Sequence, residues 1–356
     1  MTKISTYAID IVKSENTKIN EVDFNNLVFG RTFTDHMFYC DYIDGEWQQP
    51  KIVPYGPMTI DPSARVFHYG QAVFEGMKAY KDEDDNVFLF RPDENFKRIN
   101  KSASRLAIPK FPEHYFFEGL YTLLNLDRDW IKTGKGNSLY IRPFVIATES
   151  AISASPANSY RFMIICSPAK AYYTDRVRVL FAEKYSRSAD GGVGFAKAAG
   201  NYAAQFYPTG LAQKKGFQQI IWTDANSHKY LEEAGTMNIF FRINDTLITA
   251  PNNDRILDGV TRKSVIQLAK DLNIKCEVRR VSVDEIKEAS KNGSLKEIFG
   301  AGTAAVISPI SAFEHAGSVF EISEVDDSYA ILFKTKLLNI QHNLTDDKHG
   351  WRYEVK

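Results

Sequence analysis

The stretch Gly191-Gly192-Val193-Gly194-Phe195-Ala196-Lys197-Ala198-Ala199-Gly200-Asn201-Tyr202-Ala203-Ala204-Gln205 carries one lysine in a run otherwise without charge. Glycine and alanine on both sides let a bulky ligand come close to the backbone. A lysine in such surroundings loses hydration, which disfavours its ammonium form and predicts a lowered pKa. An amine of this type forms Schiff bases with carbonyl compounds. The plainer reading is a solvated lysine in a surface loop, because lysine is almost never fully buried. Other motifs of the chain decide between the two.

The bulk numbers narrow the class. The chain has 356 residues, enough for two domains, and its 44 basic and 44 acidic side chains cancel. No global field therefore recruits nucleic acid or an anionic membrane. Hydrophobic content of 44% with 25% charged residues reads as a soluble globular protein. The 24 Phe and 18 Tyr suit an aromatic-lined pocket or an aromatic core equally well. Cys40, Cys166 and Cys276 are far apart and form no CxxC, which argues against a disulfide framework or a zinc site. The histidines show neither HExxH nor an i,i+4 pair, so no metal is expected. The N-terminus lacks an apolar signal-peptide core, and no apolar run approaches the ~18 residues that span a bilayer. The expectation is a cytoplasmic protein with no membrane and no nucleic-acid partner.

Along the first half, β-branched and aromatic residues predict strands at 38–43, 87–90, 139–148 and 160–167, with helices at 93–106 and 116–132. Strands outnumber crossovers, an α+β pattern within an α/β chain. The segment 169–187 reads as a junction. It divides a smaller N-terminal domain (1–170) from a linker (171–187) and a larger C-terminal domain (188–356) that carries Lys197. Strands are expected there at 177–182, 218–223, 237–243 and 246–249, the last two joined by a tight turn at Asn244-Asp245. Helices are expected at 261–272, 283–291 and 326–342.

Downstream of Lys197, Leu231-Glu232-Glu233-Ala234-Gly235-Thr236-Met237-Asn238-Ile239-Phe240 runs an acidic pair into an apolar strand. Neighbours on an extended segment point in opposite directions, so one glutamate is expected toward solvent and the other toward a pocket. A buried carboxylate needs a partner, which a protonated pyridine nitrogen would supply. Two further stretches suit an anion. In Leu257-Asp258-Gly259-Val260-Thr261-Arg262-Lys263 a helix opens after a glycine, and its free N–H groups favour phosphate. Phe299-Gly300-Ala301-Gly302-Thr303-Ala304-Ala305 offers glycine-flanked amides and a threonine hydroxyl. Each alone reads as an ordinary turn. Arg98 would add a charge-assisted contact, although pattern alone places it on a solvated helix face.

A reactive lysine, a buried carboxylate and paired phosphate cradles are the set that pyridoxal 5′-phosphate requires. Together with Val28-Phe29-Gly30-Arg31-Thr32-Phe33-Thr34-Asp35-His36-Met37, Phe74-Glu75-Gly76-Met77-Lys78-Ala79 and Leu139-Tyr140-Ile141-Arg142-Pro143, these segments give the chain a close resemblance to the branched-chain amino acid aminotransferases. Those are fold type IV pyridoxal-phosphate enzymes, and the match runs from about residue 29 to 341. The resemblance implies a two-domain fold of the D-amino acid aminotransferase-like type and a homodimer, with the 151–156 loop approaching the partner's site.

By the same resemblance, Lys197 is the Schiff-base lysine that also moves the substrate proton, and Glu233, two residues before Gly235, faces the pyridine nitrogen. Tyr202 meets the phenolic oxygen. Arg98, Val260, Thr261 and Thr303 bind the phosphate, and the amides of Thr236 and Ala304 meet the substrate carboxylate with Tyr69 nearby. Phe29, Phe74, Tyr140 and Tyr172 line the side-chain pocket, and Arg142 takes the distal carboxylate of glutamate. Two departures stand out. Phe195-Ala196 and Ala198-Ala199 flank the lysine where relatives often carry Asn-Tyr and glycine, and Ala305 and Ser308 replace a CxxC found in some animal members.

The implied reaction is reversible transfer of the amino group of L-leucine, L-isoleucine or L-valine to 2-oxoglutarate, so the partners are small amino acids and 2-oxo acids. The alternatives are a D-amino acid aminotransferase or aminodeoxychorismate lyase on the same fold, and a non-catalytic binder of a phosphate ligand. Thr236-Met237-Asn238 and Phe74-Glu75-Gly76-Met77-Lys78 argue against the first two.

Overall fold

Alternating apolar residues in the first half of the chain build most of an almost wholly antiparallel sheet. In the computed structural model, which describes residues 9–170 and 176–356, the chain forms two compact units. One comprises the chain up to residue 171 together with 340–356, and the other comprises 172–339. Among the described residues no helix is long and apolar enough to cross a membrane.

The sheet of the first unit has ten strands among the described residues. Its middle is made by His36–Ile43, Tyr160–Ala169, Ser138–Ala147 and Met77–Lys81, in that order. Helix Glu113–Leu126 packs on strand His36–Ile43, and a side chain at Gly119 would run into the Phe38 ring. An added methyl there would overpack the core by about 1–3 kcal/mol. Phe111 and Phe162 stack at 3.8 Å in the same core.

One irregularity matters for function. Strand Ser138–Ala147 pairs with Met77–Lys81 up to Ile141 and with Ala72–Phe74 from Phe144. Pro143, which has no N–H to give, lies between these ladders, and its carbonyl accepts the Glu75 amide at 2.7 Å. Glu75 and Gly76 fill the break between the two short strands.

In the second unit, strands Asn238–Ile243, Leu295–Gly302, Val306–His315, Val177–Phe181, Gln219–Thr223 and Tyr230–Ala234 pair in sequence. A last pairing, Glu233 with Asn238, closes the six into a ring. Ile239, Phe241, Ile221, Val179 and Phe313 share one apolar cluster, while Phe240 stacks on Phe299 outside it. The expected hairpin turn is present, with Asn244 at φ 49°. The helices are Ala199–Lys214, Val260–Asp271, Val283–Lys291 and Tyr329–Gln341.

Three sequence expectations are corrected. Helix Ala199–Lys214 went unread because it holds Pro208 and two glycines and lacks an apolar stripe. The expected helix at 116–132 is Glu113–Leu126 and ends where Asp127 turns its carboxylate to the His36 backbone N–H at 3.1 Å. The division at 171–187 and 188–356 also differs from the observed units. Val177–Phe181 is an inner strand of the second sheet, and Arg352–Glu354 returns to cover the edge strand Val87–Phe90 of the first. A three-residue edge strand is too short to announce itself by periodicity.

Candidate active site

In the second unit the glycines and alanines around Lys197 serve close packing of backbone on backbone. A Cβ at Gly194 would meet the Arg255 carbonyl carbon at 2.7 Å, and the Phe195 amide donates to Asp254 O at 3.0 Å. Asn201 ties the loop from the other side, donating from Nδ2 to the carbonyls of Val193 (2.8 Å) and Ala196 (2.9 Å). Lys197 lies just before the helix that starts at Ala199. Its half-buried ammonium donates to the Tyr202 hydroxyl at 2.7 Å.

Glu233 stands at the seam of the strand ring and is buried. Its Oε1 forms an ion pair with Arg187 Nη1 at 2.8 Å and accepts from the Leu257 amide at 3.0 Å, and Oε2 accepts from Asn238 Nδ2 at 3.2 Å. Burial pushes its carboxyl above the ordinary value, against the pull of Arg187, the Leu257 amide and the charge of Lys197.

The expectation that one glutamate faces solvent is overturned. Glu232 is as buried as Glu233, at 4% exposure each. Alternation does send the two carboxylates to different partners, but the second side is covered too. Arg255 pairs with Glu232 and reaches on to Asp190. Burial raises the Glu232 carboxyl, and Arg255 opposes the rise.

The two expected anion cradles lie beside the same seam. Gly259 precedes helix Val260–Asp271, and no side chain caps that end. Its uncapped first N–H groups are suited to an anion. A Cβ at Gly259 would press into the Asn238 amide carbon at 3.0 Å. Asn238, which holds Glu233, also donates to Leu257 O at 2.9 Å and so ties carboxylate and helix entry together. Val260 and Thr261 are buried at that entry. Thr303 and Ala304 occupy the half-buried turn between the strands that end at Gly302 and start at Val306. A Cβ at Gly302 would meet Thr236 O at 3.0 Å, so this turn touches the one carrying exposed Thr236. Amine, carboxylate and both cradles therefore gather in one unit. Their chemistry fits an aldehyde-bearing, phosphorylated pyridine: an amine to hold it, an acceptor for its ring nitrogen, and amides for its phosphate.

In the first unit, Phe29 meets the Tyr140 ring edge-on at 4.9 Å, and the Arg142 guanidinium lies 4.7 Å over Phe74 and 5.3 Å from Tyr140. Arg142 Nη2 donates to the Tyr140 hydroxyl at 3.0 Å. That hydroxyl covers Gly76, where any Cβ would collide with it. Phe29, Phe74, Tyr140 and Arg142 thus form one patch. Tyr69 is exposed and donates to Ile152 O in the 151–156 loop, whose other end Arg65 holds through the carbonyls of Ser155 and Pro156. Tyr172 lies outside the described residues.

Arg98 is buried, at 8% exposure, contrary to the solvated-face reading. Its Nε and Nη2 donate to the two oxygens of Glu75 at 2.6 and 2.8 Å. Arg187, Arg255 and Asn238 were not singled out from sequence. A buried carboxylate demands a partner, but nothing local names a residue 46 positions away in the case of Glu233. Cys40 and Cys166 are buried, with burial pushing the Cys40 thiol up to about 12. Among the described residues, no group of three or more His, Cys, Asp or Glu could hold a metal ion.

The amino-transferase class IV family model matches residues 72–313. A branched-chain-amino-acid aminotransferase 2 of Bacillus subtilis (strain 168) is 44% identical over 350 residues, covering 97% of this chain and 96% of the relative. A probable branched-chain-amino-acid aminotransferase of Staphylococcus epidermidis (strain ATCC 12228 / FDA PCI 1200) is 47% identical over 350 residues, 96% and 97% of the two chains. Among solved structures, the branched-chain amino acid aminotransferase from Thermobaculum terrenum in its PLP-form (holo-form) superposes with a TM-score of 0.73. It shares 18% identity, with 90% of this chain and 98% of that one covered. By its fold, its gathered lysine and carboxylate, and these near full-length likenesses, the chain belongs to the class IV aminotransferases, within the branched-chain-amino-acid aminotransferase family.

Proposed function

We propose that this chain is a pyridoxal 5′-phosphate-dependent transaminase that moves the amino group of L-leucine, L-isoleucine or L-valine reversibly to 2-oxoglutarate. The observation that carries the reading is the Lys197 ammonium 2.7 Å from the Tyr202 hydroxyl, in the same unit as a buried Glu233 carboxylate that pairs with Arg187 and accepts from the Leu257 amide and Asn238. The relatives' names supply the substrate class, and the PLP-form of a similar structure supports the cofactor.

When bound, pyridoxal phosphate supplies an aldehyde that condenses with amines and a ring that accepts the electrons left by a lost proton. The chain's own groups do the rest. Lys197 Nζ would take the proton from the substrate Cα and then give it back, a general base and acid in turn. Glu233 would accept the ring N–H, and the Tyr202 hydroxyl would donate to the phenolic oxygen. Val260, Thr261, Thr303 and Arg98 bind phosphate, and the Thr236 and Ala304 amides hold the substrate carboxylate. Phe29, Phe74 and Tyr140 enclose an aliphatic side chain, with Tyr69 near the substrate carboxylate, and Arg142 meets the distal carboxylate of glutamate. A cytoplasmic homodimer, with the 151–156 loop reaching toward the partner, completes the reading.

Single-turnover absorbance changes with L-leucine, L-isoleucine, L-valine, L-glutamate and D-alanine test it. The three branched amino acids and glutamate are expected to react faster than D-alanine. A preference for D-alanine would mark a D-amino acid aminotransferase instead. Borohydride reduction followed by peptide mapping should place the pyridoxyl label on Lys197, and Lys197→Ala should lose more than about 10⁴-fold in turnover with its fold retained.

A further inference from the structure

Glu75 has no role in the reading above, yet it is the most constrained acid of the first unit, with 0% exposure. Its two oxygens take Arg98 Nε at 2.6 Å and Nη2 at 2.8 Å, a side-on fork that fixes the guanidinium plane. The carboxylate is itself pinned. Oε2 also accepts from Asn95 Nδ2 at 2.7 Å and from the Gly76 amide at 3.1 Å. The Glu75 amide donates to the Pro143 carbonyl in the strand break. Asn95 and Arg98 are three apart on helix Pro92–Arg105 and so share one face. An arginine side chain has many rotamers, and ordering it only when an anion arrives would subtract from affinity.

We propose that Glu75 is a positioning residue that holds the Arg98 guanidinium ready for the cofactor's phosphate, and so controls the phosphate-dependent part of cofactor affinity. The proposal rests on Arg98 being a phosphate ligand. Two effects compete. The Glu75 charge repels a nearby phosphate, while its fork orders the arginine. The fork wins because four donors spread the carboxylate's charge into the protein, whereas a loosened Arg98 loses its direction. Glutamine cannot replace it, since an amide offers one acceptor and turns a donor toward the guanidinium.

The test compares affinity for pyridoxal 5′-phosphate with affinity for pyridoxal, which lacks the phosphate, using full-length protein stripped of cofactor. Glu75→Gln is expected to weaken pyridoxal 5′-phosphate by about tenfold or more and pyridoxal by less than about twofold. Glu75→Asp should recover part of the loss. Asn95→Ser, which loosens the carboxylate without unpairing Arg98, should give a smaller loss of the same selectivity and serves if Glu75→Gln does not fold. In an Arg98→Met background, Glu75→Gln should add no further phosphate-selective loss. Equal weakening of both ligands by the Glu75 and Asn95 variants, or no weakening, overturns the proposal. If Arg98→Met itself fails to discriminate the two ligands, Arg98 is not the phosphate ligand, and the underlying reading fails instead.

Discussion

Arg98–Glu75 in the first unit and Arg187–Glu233 in the second are both buried arginine–glutamate pairs, and they are wired in opposite senses. Glu75 receives four donors, three of them at Oε2. Glu233 pairs with Arg187 and accepts two hydrogen bonds from the described residues, one at each oxygen, and there the arginine is the committed partner. Arg187 spends its Nη groups on the carbonyls of Gly194 and Arg255 as well as on Glu233. In one pair the acid is spent on orienting the base, and in the other the base is spent on orienting the acid. Glu233, the less committed partner of its pair, is the one that can meet a ligand. Buried ion pairs are weak devices for stability, because desolvation offsets their attraction, but they fix orientation well. Arg142 is a third case. Its described partners are two rings and a hydroxyl, with no carboxylate among them, and its buried Nε has no hydrogen-bond partner among the described residues.

The largest expected effect falls on the less committed acid. Glu233→Gln should lower turnover by about 10²–10³-fold, the cost of removing a preorganised charge from a reacting centre. Arg187→Met should follow it with a smaller loss, since the Leu257 and Asn238 donors remain. Steady-state kcat for both variants measures this, and a larger loss in Arg187→Met would reverse the assignment of roles. Next comes Arg142→Met. It should slow the glutamate half-reaction by about 10–100-fold, the worth of a charge-assisted hydrogen bond, while the leucine half-reaction changes little. Equal losses in single-turnover measurements would mean that Arg142 serves packing alone. Smallest in turnover is Glu232→Gln. Removing the Glu232 charge from half-buried Arg255, which keeps its Asp190 partner, should cost about 1–3 kcal/mol of stability, visible as a lowered Tm, with kcat of the folded fraction near that of the parent. A kcat loss matching that of Glu233→Gln would erase the distinction between the two acids.

The contrast explains what could be read from the sequence. Lys197 and Tyr202 are five residues apart, and a local segment is enough to suggest their meeting. The Asn244-Asp245 turn and helix Val283–Lys291 are local in the same way, fixed by turn chemistry and by a Ser282 cap that accepts from the Glu285 amide at 3.0 Å. Helix Ala199–Lys214 was not legible, because a proline and glycines within it argue against helix, and tertiary packing overrode that propensity. The burial of Glu232 was missed because alternation predicts which side a side chain takes and not what covers that side.

Local physics therefore determined the chemical vocabulary of this protein: an amine among small residues, an acidic pair entering a strand, and two turns with unspent amides. Each of these is a property of a few consecutive residues, and covalent spacing brings their groups together. The partners were decided only by the tertiary structure. Arg187 reaches Glu233 across 46 residues, Arg98 reaches Glu75 across a strand break, and Arg255 covers Glu232 from a loop. A buried charge makes a partner obligatory without saying which residue it is. Sheet register and the closing of the strand ring make that choice, and both depend on residues far apart in the chain.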